Sequence, residues 1–174
     1  MVRQNNEDSC LVIPPWSRPA IERQACLFAV ADGMGGQNAG EVASALAMKT
    51  AAEWFSANAG NSMSVQMLEE MFSQTNSAVW GYSQDHPETS GMGNTLTMMI
   101  AWGNRALVGH IGDSRLYRLR GDTLAQLTND HSLVKRLLDL GQITEEEAKN
   151  HPNKNVLYRA LGQSEPFRPD IQTT

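Results

Sequence analysis

The stretch Phe28-Ala29-Val30-Ala31-Asp32-Gly33-Met34-Gly35-Gly36 ends an apolar run in a carboxylate and sets three glycines in the next four positions. A buried strand of this composition delivers Asp32 to its C-terminal tip, where a sheet meets solvent. The glycines let the backbone turn sharply and approach whatever the carboxylate holds. A carboxylate beside bare carbonyls suits a hard divalent cation such as Mg²⁺ or Mn²⁺, although the same pattern also serves as a plain strand-to-helix turn. Two further acidic places stand out. Arg3-Gln4-Asn5-Asn6-Glu7-Asp8-Ser9 brings an arginine and two carboxylates to the entrance of the first strand. It reads either as a solvated strand or as a site where Arg3 grips an oxyanion with both arms of its guanidinium. His110-Ile111-Gly112-Asp113-Ser114-Arg115 runs a second strand into a Gly-Asp turn, either a hydrogen-bonded turn or another acidic site. Two such strand ends in one small sheet point to convergence on a metal cluster.

The elements that must position these acids follow from periodicity. Leu11-Val12-Ile13 reads as a strand stopped by Pro14-Pro15, and Cys26 to Ala31 as the next strand. A helix is predicted from Ala39 to Ala57, with Asn38 and Glu41 as its cap and an apolar stripe at Val42/Ala43, Leu46/Ala47, Thr50/Ala51 and Trp54/Phe55. A second helix runs from Ser64 to Gln84 on Val65, Leu68, Phe72, Thr75, Val79 and Tyr82. Thr95 to Trp102 is a strand apolar enough on both faces to be buried on both. Gly103-Asn104 turns it into a partner strand from Ala106 to Ile111, and Leu116 to Leu119 and Thr123 to Leu127 form a further pair. Ser132 to Leu140 is helical and stops at Gly141; Thr144 with Glu147 is a capping box for a last short helix ended by Pro152. Segregated strands and helices of this kind argue for an α+β fold.

Bulk properties narrow the partners. A chain of 174 residues with 41% hydrophobic content supports one domain with a real core. Its net charge of −5 leaves no basic footprint for nucleic acid. No apolar run approaches the roughly 18 residues that a membrane span needs, and Met1 to Cys10 shows no signal-peptide pattern. Cys10 and Cys26 sit among apolar neighbours and read as small core residues in a reducing cytoplasm. Several chemistries are excluded on residues. Cys26 and Cys10 lack the Cys-x₅-Arg of a thiolate phosphatase, and the chain has no Walker loop, no Gly-x-Gly-x-x-Gly and no Gly-x-Ser-x-Gly elbow. His86, His110, His131 and His151 are scattered, which speaks against imidazole metal ligation, and adjacency alone does not make Asp130-His131 a catalytic dyad.

Six motifs then occur in one order: Arg3-x-x-Asn6-Glu7-Asp8-Ser9, Val30 to Gly36, Gly93-Asn94-Thr95-Leu96-Thr97, Gly109 to Arg115, Leu127-Thr128-x-Asp130-His131-Ser132 and Tyr158-Arg159-Ala160-Leu161-Gly162. With these the chain resembles a bacterial metal-dependent serine/threonine protein phosphatase of the type 2C class. The resemblance implies a four-layer αββα sandwich, two antiparallel sheets flanked by helix pairs. It also implies a binuclear Mn²⁺ or Mg²⁺ centre that activates water for in-line attack on a phosphoserine or phosphothreonine, without a phosphoenzyme. Asp32 matches the carboxylate bridging both ions, and Gly33 matches a residue ligating one of them through its carbonyl. Glu7 and Asp8 match acids that contact the ions' waters, Arg3 the arginine that holds the phosphate, and Asp113 an acid that helps bind a third, weaker ion. Some relatives carry a histidine where this chain has Met34, so protonation of the leaving group would fall to water on the metals. Phosphorylated proteins as substrates, an opposing serine/threonine kinase and a cytoplasmic setting follow from the same resemblance. A non-catalytic module that binds phosphorylated partners is the competing class.

The ends depart from the family. The family places a strand's worth of residues before the arginine motif, and it supplies further metal-binding aspartates after the Arg-Ala-Leu-Gly motif, in a Ser-Asp-Gly segment and a late Asp-Asn pair. Neither appears before Thr174, and Asp170 lies outside any such motif. The expectation is therefore one catalytic domain over residues 1–174 that lacks its C-terminal portion and is incomplete at both ends. It should hold metal weakly, turn over poorly and tend to dimerise or exchange strands through unpaired edges.

Overall fold

The computed structural model describes residues 6–14, 25–35, 39–58, 63–164 and 167–174. Strands β1 (Asp8–Ile13), β2 (Cys26–Met34), β4 (Leu96–Trp102), β5 (Arg105–Ile111) and β8 (Asp170–Thr173) lie side by side in one antiparallel sheet, ordered β1-β2-β4-β5-β8. The two-residue β3 (Gly93–Asn94) joins β2 at its tip, and β6 (Tyr117–Arg120) with β7 (Thr123–Gln126) forms a separate hairpin sheet. Helices α1 (Ala39–Asn58) and α2 (Val65–Asp85) pack together, and the shorter α3 (Leu133–Asp139) and α4 (Glu145–Asn150) make a second pair. This is the α+β arrangement of antiparallel sheets and four helices that the motifs imply. Among the described residues the second sheet consists of the hairpin alone.

Alternation along β2 decides which way the sheet faces. Leu27, Ala29 and Ala31 are buried, while Phe28 and Val30 are exposed on the other face. The buried set meets Met48 and Phe55 of α1, and Leu68, Met71 and Phe72 of α2, with Leu96, Met98 and Ile100 of β4 completing the core. Each such large side chain contributes about 1.5–3 kcal/mol by leaving water. β4 is largely covered on both faces, as its sequence predicts. Val12, Phe28 and Val30 leave an apolar strip exposed on the outer face of β1 and β2.

The capping box expected of Thr144 and Glu147 closes reciprocally on α4. Ser64 and Ser132, which open two other predicted helices, also act as caps: the Ser64 hydroxyl accepts the Met67 N–H at 3.2 Å on α2, and Ser132 caps α3. The Asn38–Glu41 cap falls outside the described residues, because Asn38 is not among them. No element is predicted beyond Pro152, yet Asp170–Thr173 forms a strand that pairs with β5 in the register His110↔Asp170. One expectation is corrected. Neither cysteine is a core residue, since Cys10 is exposed on the outer face of β1 and Cys26 is half-buried; both are free thiols.

Candidate metal centre

The pairing register of β1 and β2 places Asp8 directly opposite Asp32. Directly opposed residues of an antiparallel pair share a face, and here it is the outer one. Both line a groove of about 310 Å³ together with Asn6, Ser9, Cys10, Val30, Ala31 and Ser114. The neighbouring Glu7 turns its carbonyl to the Gly33 N–H at 3.1 Å, and the same carbonyl accepts the Ser44 hydroxyl at 2.7 Å. With its proton committed there, the Ser44 oxygen takes that of Ser9 at 2.9 Å. Ser44, fully buried on α1, thus fastens the acidic start of β1 to the helix. Its spacing from Glu7 gave no sequence signal.

Gly33 owes its identity to crowding. A Cβ there would stand 2.0 Å from the Gly40 carbonyl oxygen and 2.7 Å from that of Glu7, so the tip of β2 and the first turn of α1 meet backbone to backbone. The close approach expected of this glycine is therefore made to the chain's own helix. Asp32 is held at both of its main-chain groups by Thr95. Its N–H donates to Thr95 Oγ1 at 3.0 Å, and its carbonyl accepts the Thr95 N–H at 2.9 Å.

Asp113 follows Gly112, whose φ of +108° is open to glycine. Its neighbour Ser114 has its hydroxyl 2.8 Å from Thr95 Oγ1, the atom that holds the Asp32 N–H. Burial, then the charge of Asp130, pushes the Asp113 carboxyl up. Asp130 itself is engaged by Arg115 through Nε at 3.0 Å to each carboxylate oxygen and Nη2 at 2.6 Å to Oδ2. That bidentate grip raises the Arg115 guanidinium further and ties the turn to the loop after β7.

The histidines scattered along the chain come together here in part. The His110 and His131 rings stand 5.0 Å apart. Nδ1 of His131 accepts the Gly112 N–H at 3.1 Å, so the neutral ring carries its proton on Nε2 and donates to Asp170 Oδ2 at 3.0 Å. Arg159 reaches the other oxygen of Asp170 at 2.9 Å. Burial pushes Asp170 up, but the hydrogen bond from His131 and the charges of His131 and Arg159 outweigh it and hold the carboxyl below its usual range. Asp130 and His131 therefore serve different partners and form no dyad. The signal available in sequence was that each histidine flanks a motif acid.

The Thr97 hydroxyl donates to the Ser114 carbonyl at 3.2 Å, so His110 Nδ1–H must donate to Thr97 Oγ1 at 2.8 Å. This leaves Nε2 of the neutral ring buried, unprotonated and without a hydrogen-bond partner among the described residues. Burial, then the charge of His131, pushes His110 down to about 4 from 6.5. Between those values the unfolded chain takes up a proton that the folded chain refuses, so stability falls as pH drops from about 6.5 to about 4, by about 3 kcal/mol in all. The lowered Asp170 acts only below its ordinary 3.8, outside that window, whereas the raised Asp113 takes its proton above 3.8 in the folded chain and offsets part of the slope at its acid end. Urea unfolding at pH steps between 7 and 4 should show this slope, and His110→Asn should flatten it. An undiminished slope in that variant would assign the effect elsewhere.

Of the predicted site residues, Asp32, Asp8, Gly33 and Glu7 are brought together, Asp113 adjoins them through Ser114, and Arg3 lies outside the described residues. Among the described residues, no three or more His, Cys, Asp and Glu side chains converge to hold an ion by themselves. Apart from the Cys10 thiol, the donors lining the groove, Asn6, Asp8, Ser9, Asp32 and Ser114 among them, offer hard oxygens. Mg²⁺, which keeps most of its waters and asks for one or two carboxylates, fits such a set.

The Arg159–Gly162 motif is structural in its contacts. Leu161 bridges Asn94 of β3, and the buried Asn76 of α2 accepts the Gly162 N–H at 2.9 Å and donates to the Gln163 carbonyl at 3.0 Å.

Comparison with known proteins gives the same direction. A family model described as Protein phosphatase 2C matches residues 1–137. The serine/threonine protein phosphatase PstP of Mycobacterium tuberculosis is 41% identical over 161 residues, covering 92% of this chain and 29% of that protein. The serine/threonine phosphatase stp of Listeria innocua is 36% identical over 164 residues, covering 92% of this chain and 63% of that protein. A crystal structure of the catalytic domain of PstP in complex with two manganese ions superposes with a TM-score of 0.82 at 37% identity, over 100% of this chain and 67% of that one. The chain thus spans less than two thirds of the length of these curated relatives.

Proposed function

We propose, since this chain belongs to the protein phosphatase 2C family, that it is catalytic-domain sequence of a metal-dependent phosphatase acting on phosphoserine and phosphothreonine in proteins. The observation that carries this reading is the cross-strand opposition of Asp8 and Asp32 on the wall of one groove. Two carboxylates facing each other repel, and such a pair is worth keeping where cations neutralise it. Asp32 and the Gly33 carbonyl would hold Mn²⁺ or Mg²⁺, with Asp8 and Glu7 reaching the ions through water and Asp113 serving a further ion. When bound, such ions supply an acidified water as nucleophile and neutralise charge on the phosphoryl group.

The chain's own residues do the rest. Arg3 would bind two phosphoryl oxygens and orient phosphorus for in-line displacement. The Thr95 bonds hold the Asp32 main chain still, so its carboxylate needs little reorganisation during the reaction. Met34 offers no proton at the place where some relatives have histidine, so protons for the leaving serine or threonine oxygen come from water. The partners of this reading are phosphorylated proteins and the kinase that opposes it, in the cytoplasm. Copies would dimerise or exchange strands through the sheet's edges, β1 and β8 among the described residues, beside the exposed Val12, Phe28 and Val30. No helix among the described residues is long and apolar enough to cross a membrane.

A second reading, a phosphatase-like module that binds phosphorylated partners without turnover, is favoured by one observation. Among the described residues no three metal-ligating side chains converge. One experiment separates the two: hydrolysis of a phosphothreonine peptide with Mn²⁺ and with a chelator. The expected result is turnover that appears with the ion and disappears on chelation. Tight peptide binding with no turnover would favour the module, and turnover indifferent to chelation would overturn the metal-dependent reading.

A further inference from the structure

We infer that Thr95 is a positioning residue that locks the two acidic loops, the Asp32 strand tip and the Asp113 turn, into one register through the Ser114 hydroxyl. The inference rests on the reading of the groove as a metal centre. Three independent contacts carry it. Thr95 stands between β3 and β4, outside both strands, where its hydroxyl accepts the Asp32 N–H at 3.0 Å in place of a main-chain partner. The same oxygen lies 2.8 Å from Ser114 Oγ, and Ser114 lines the groove beside Asp8 and Asp32. On its apolar side, Thr95 fills the space above Gly112: a Cβ built there would fall 2.5 Å from both Cβ and Cγ2 of Thr95. One side chain, 1% exposed, therefore touches the residue that bears the first acid and both neighbours of the second.

The hydroxyl is the coupling element. Thr97, two residues on, holds the Ser114 carbonyl, so the turn is pinned to β4 at its main chain and at its side chain separately. Removing the Thr95 hydroxyl leaves the main-chain pin in place. It frees the Ser114 side chain and strips the Asp32 N–H of its acceptor. Asp32 and Asp113 then keep their chemistry and lose their fixed separation. Outer-shell groups of this kind are worth about 10–100-fold in metal affinity.

The test is calorimetric Mn²⁺ titration of the full-length protein and of Thr95→Val, Thr95→Ser, Ser114→Ala and Asp32→Ala, each with its circular dichroism and melting curve. Thr95→Val and Ser114→Ala are expected to weaken Mn²⁺ binding about tenfold or more, and Thr95→Ser to stay within about twofold of the parent. Should Thr95→Val fail to fold, Ser114→Ala, at a half-buried position, decides alone. Parental affinity in Thr95→Val and Ser114→Ala, with binding lost in Asp32→Ala, overturns the positioning role and leaves the proposed function standing. Equal weakening in Thr95→Ser and Thr95→Val assigns the effect to the methyl packing on Gly112 and overturns it too. Unchanged binding in Asp32→Ala overturns the proposed function itself, and this inference with it.

Discussion

Asp32→Asn is expected to lower Mn²⁺-dependent hydrolysis of a phosphothreonine peptide on the order of a thousandfold or more, while leaving the metal-free fold intact. The two halves of that expectation have separate causes. The main chain of Asp32 is held by the exchange with Thr95 and by the ladder to β1. Asparagine keeps these main-chain bonds. Its side chain has the same shape and no charge, so the opposition to Asp8 across the ladder is relieved, worth a few tenths of a kcal/mol. The loss of function comes from the same removed charge, because a neutral amide is a poor ligand for a hard dication. Thermal melts with and without Mn²⁺ separate the effects. The parent should gain stability with ion concentration as RT ln(1 + [Mn²⁺]/Kd), and the variant should gain little. Parental turnover in Asp32→Asn, or an equal gain on adding the ion, would remove Asp32 from the centre.

Much of this site was legible as residues and little of it as geometry. Helices α1 and α2 were readable because three- and four-residue steps over 20 and 21 positions leave few alternatives, and Ser64 marks a start by its own hydrogen bond. Asp32 and Asp8 were both visible as acids. Their opposition was not, because register depends on which residue of β1 meets which residue of β2, and a slip of one turns every side chain over. The same ignorance of face misplaced Cys10: its apolar neighbours suggested a core, but β1 alternates and Cys10 falls on the outer face with Asp8. Asp170 lies outside every motif, so nothing local in the sequence singles it out. Its strand exists through pairing with β5 and through a bond to His131, 39 positions away. Such contacts carry no local pattern. Thr95 shows the reverse case, where a residue assigned to a strand by alternation turns out to sit in a break and to matter for that reason.

Gly33→Ala should cost about 3 kcal/mol of folding stability, at the upper end of the range for overpacking and a large share of the 5–15 kcal/mol that holds a domain together. The added methyl would lie 2.0 Å from the Gly40 oxygen, 2.4 Å from the Gly40 carbon and 2.7 Å from the Glu7 oxygen. All three are main-chain atoms, so no side chain can rotate aside. Relief requires lifting the first turn of α1 from the strand tip or pushing β1 outward. Either motion strains the Gly33 N–H bond to Glu7 and the Ser44 hydroxyl bond to the same carbonyl. Gly81→Ala is the control. That position lies inside α2 with nothing within 4 Å of a new Cβ, so the helix should gain up to about 1 kcal/mol there. Urea unfolding of the two variants should move in opposite directions, and a Gly33→Ala midpoint equal to the parent's would contradict the packing. The comparison also divides two reasons for a glycine at this place. A residue needed only for its carbonyl as a ligand would tolerate alanine, which keeps that oxygen. Intolerance means that the acid at position 32 is aimed by the contact between strand tip and helix, and that the glycine beside it is there to let the helix in.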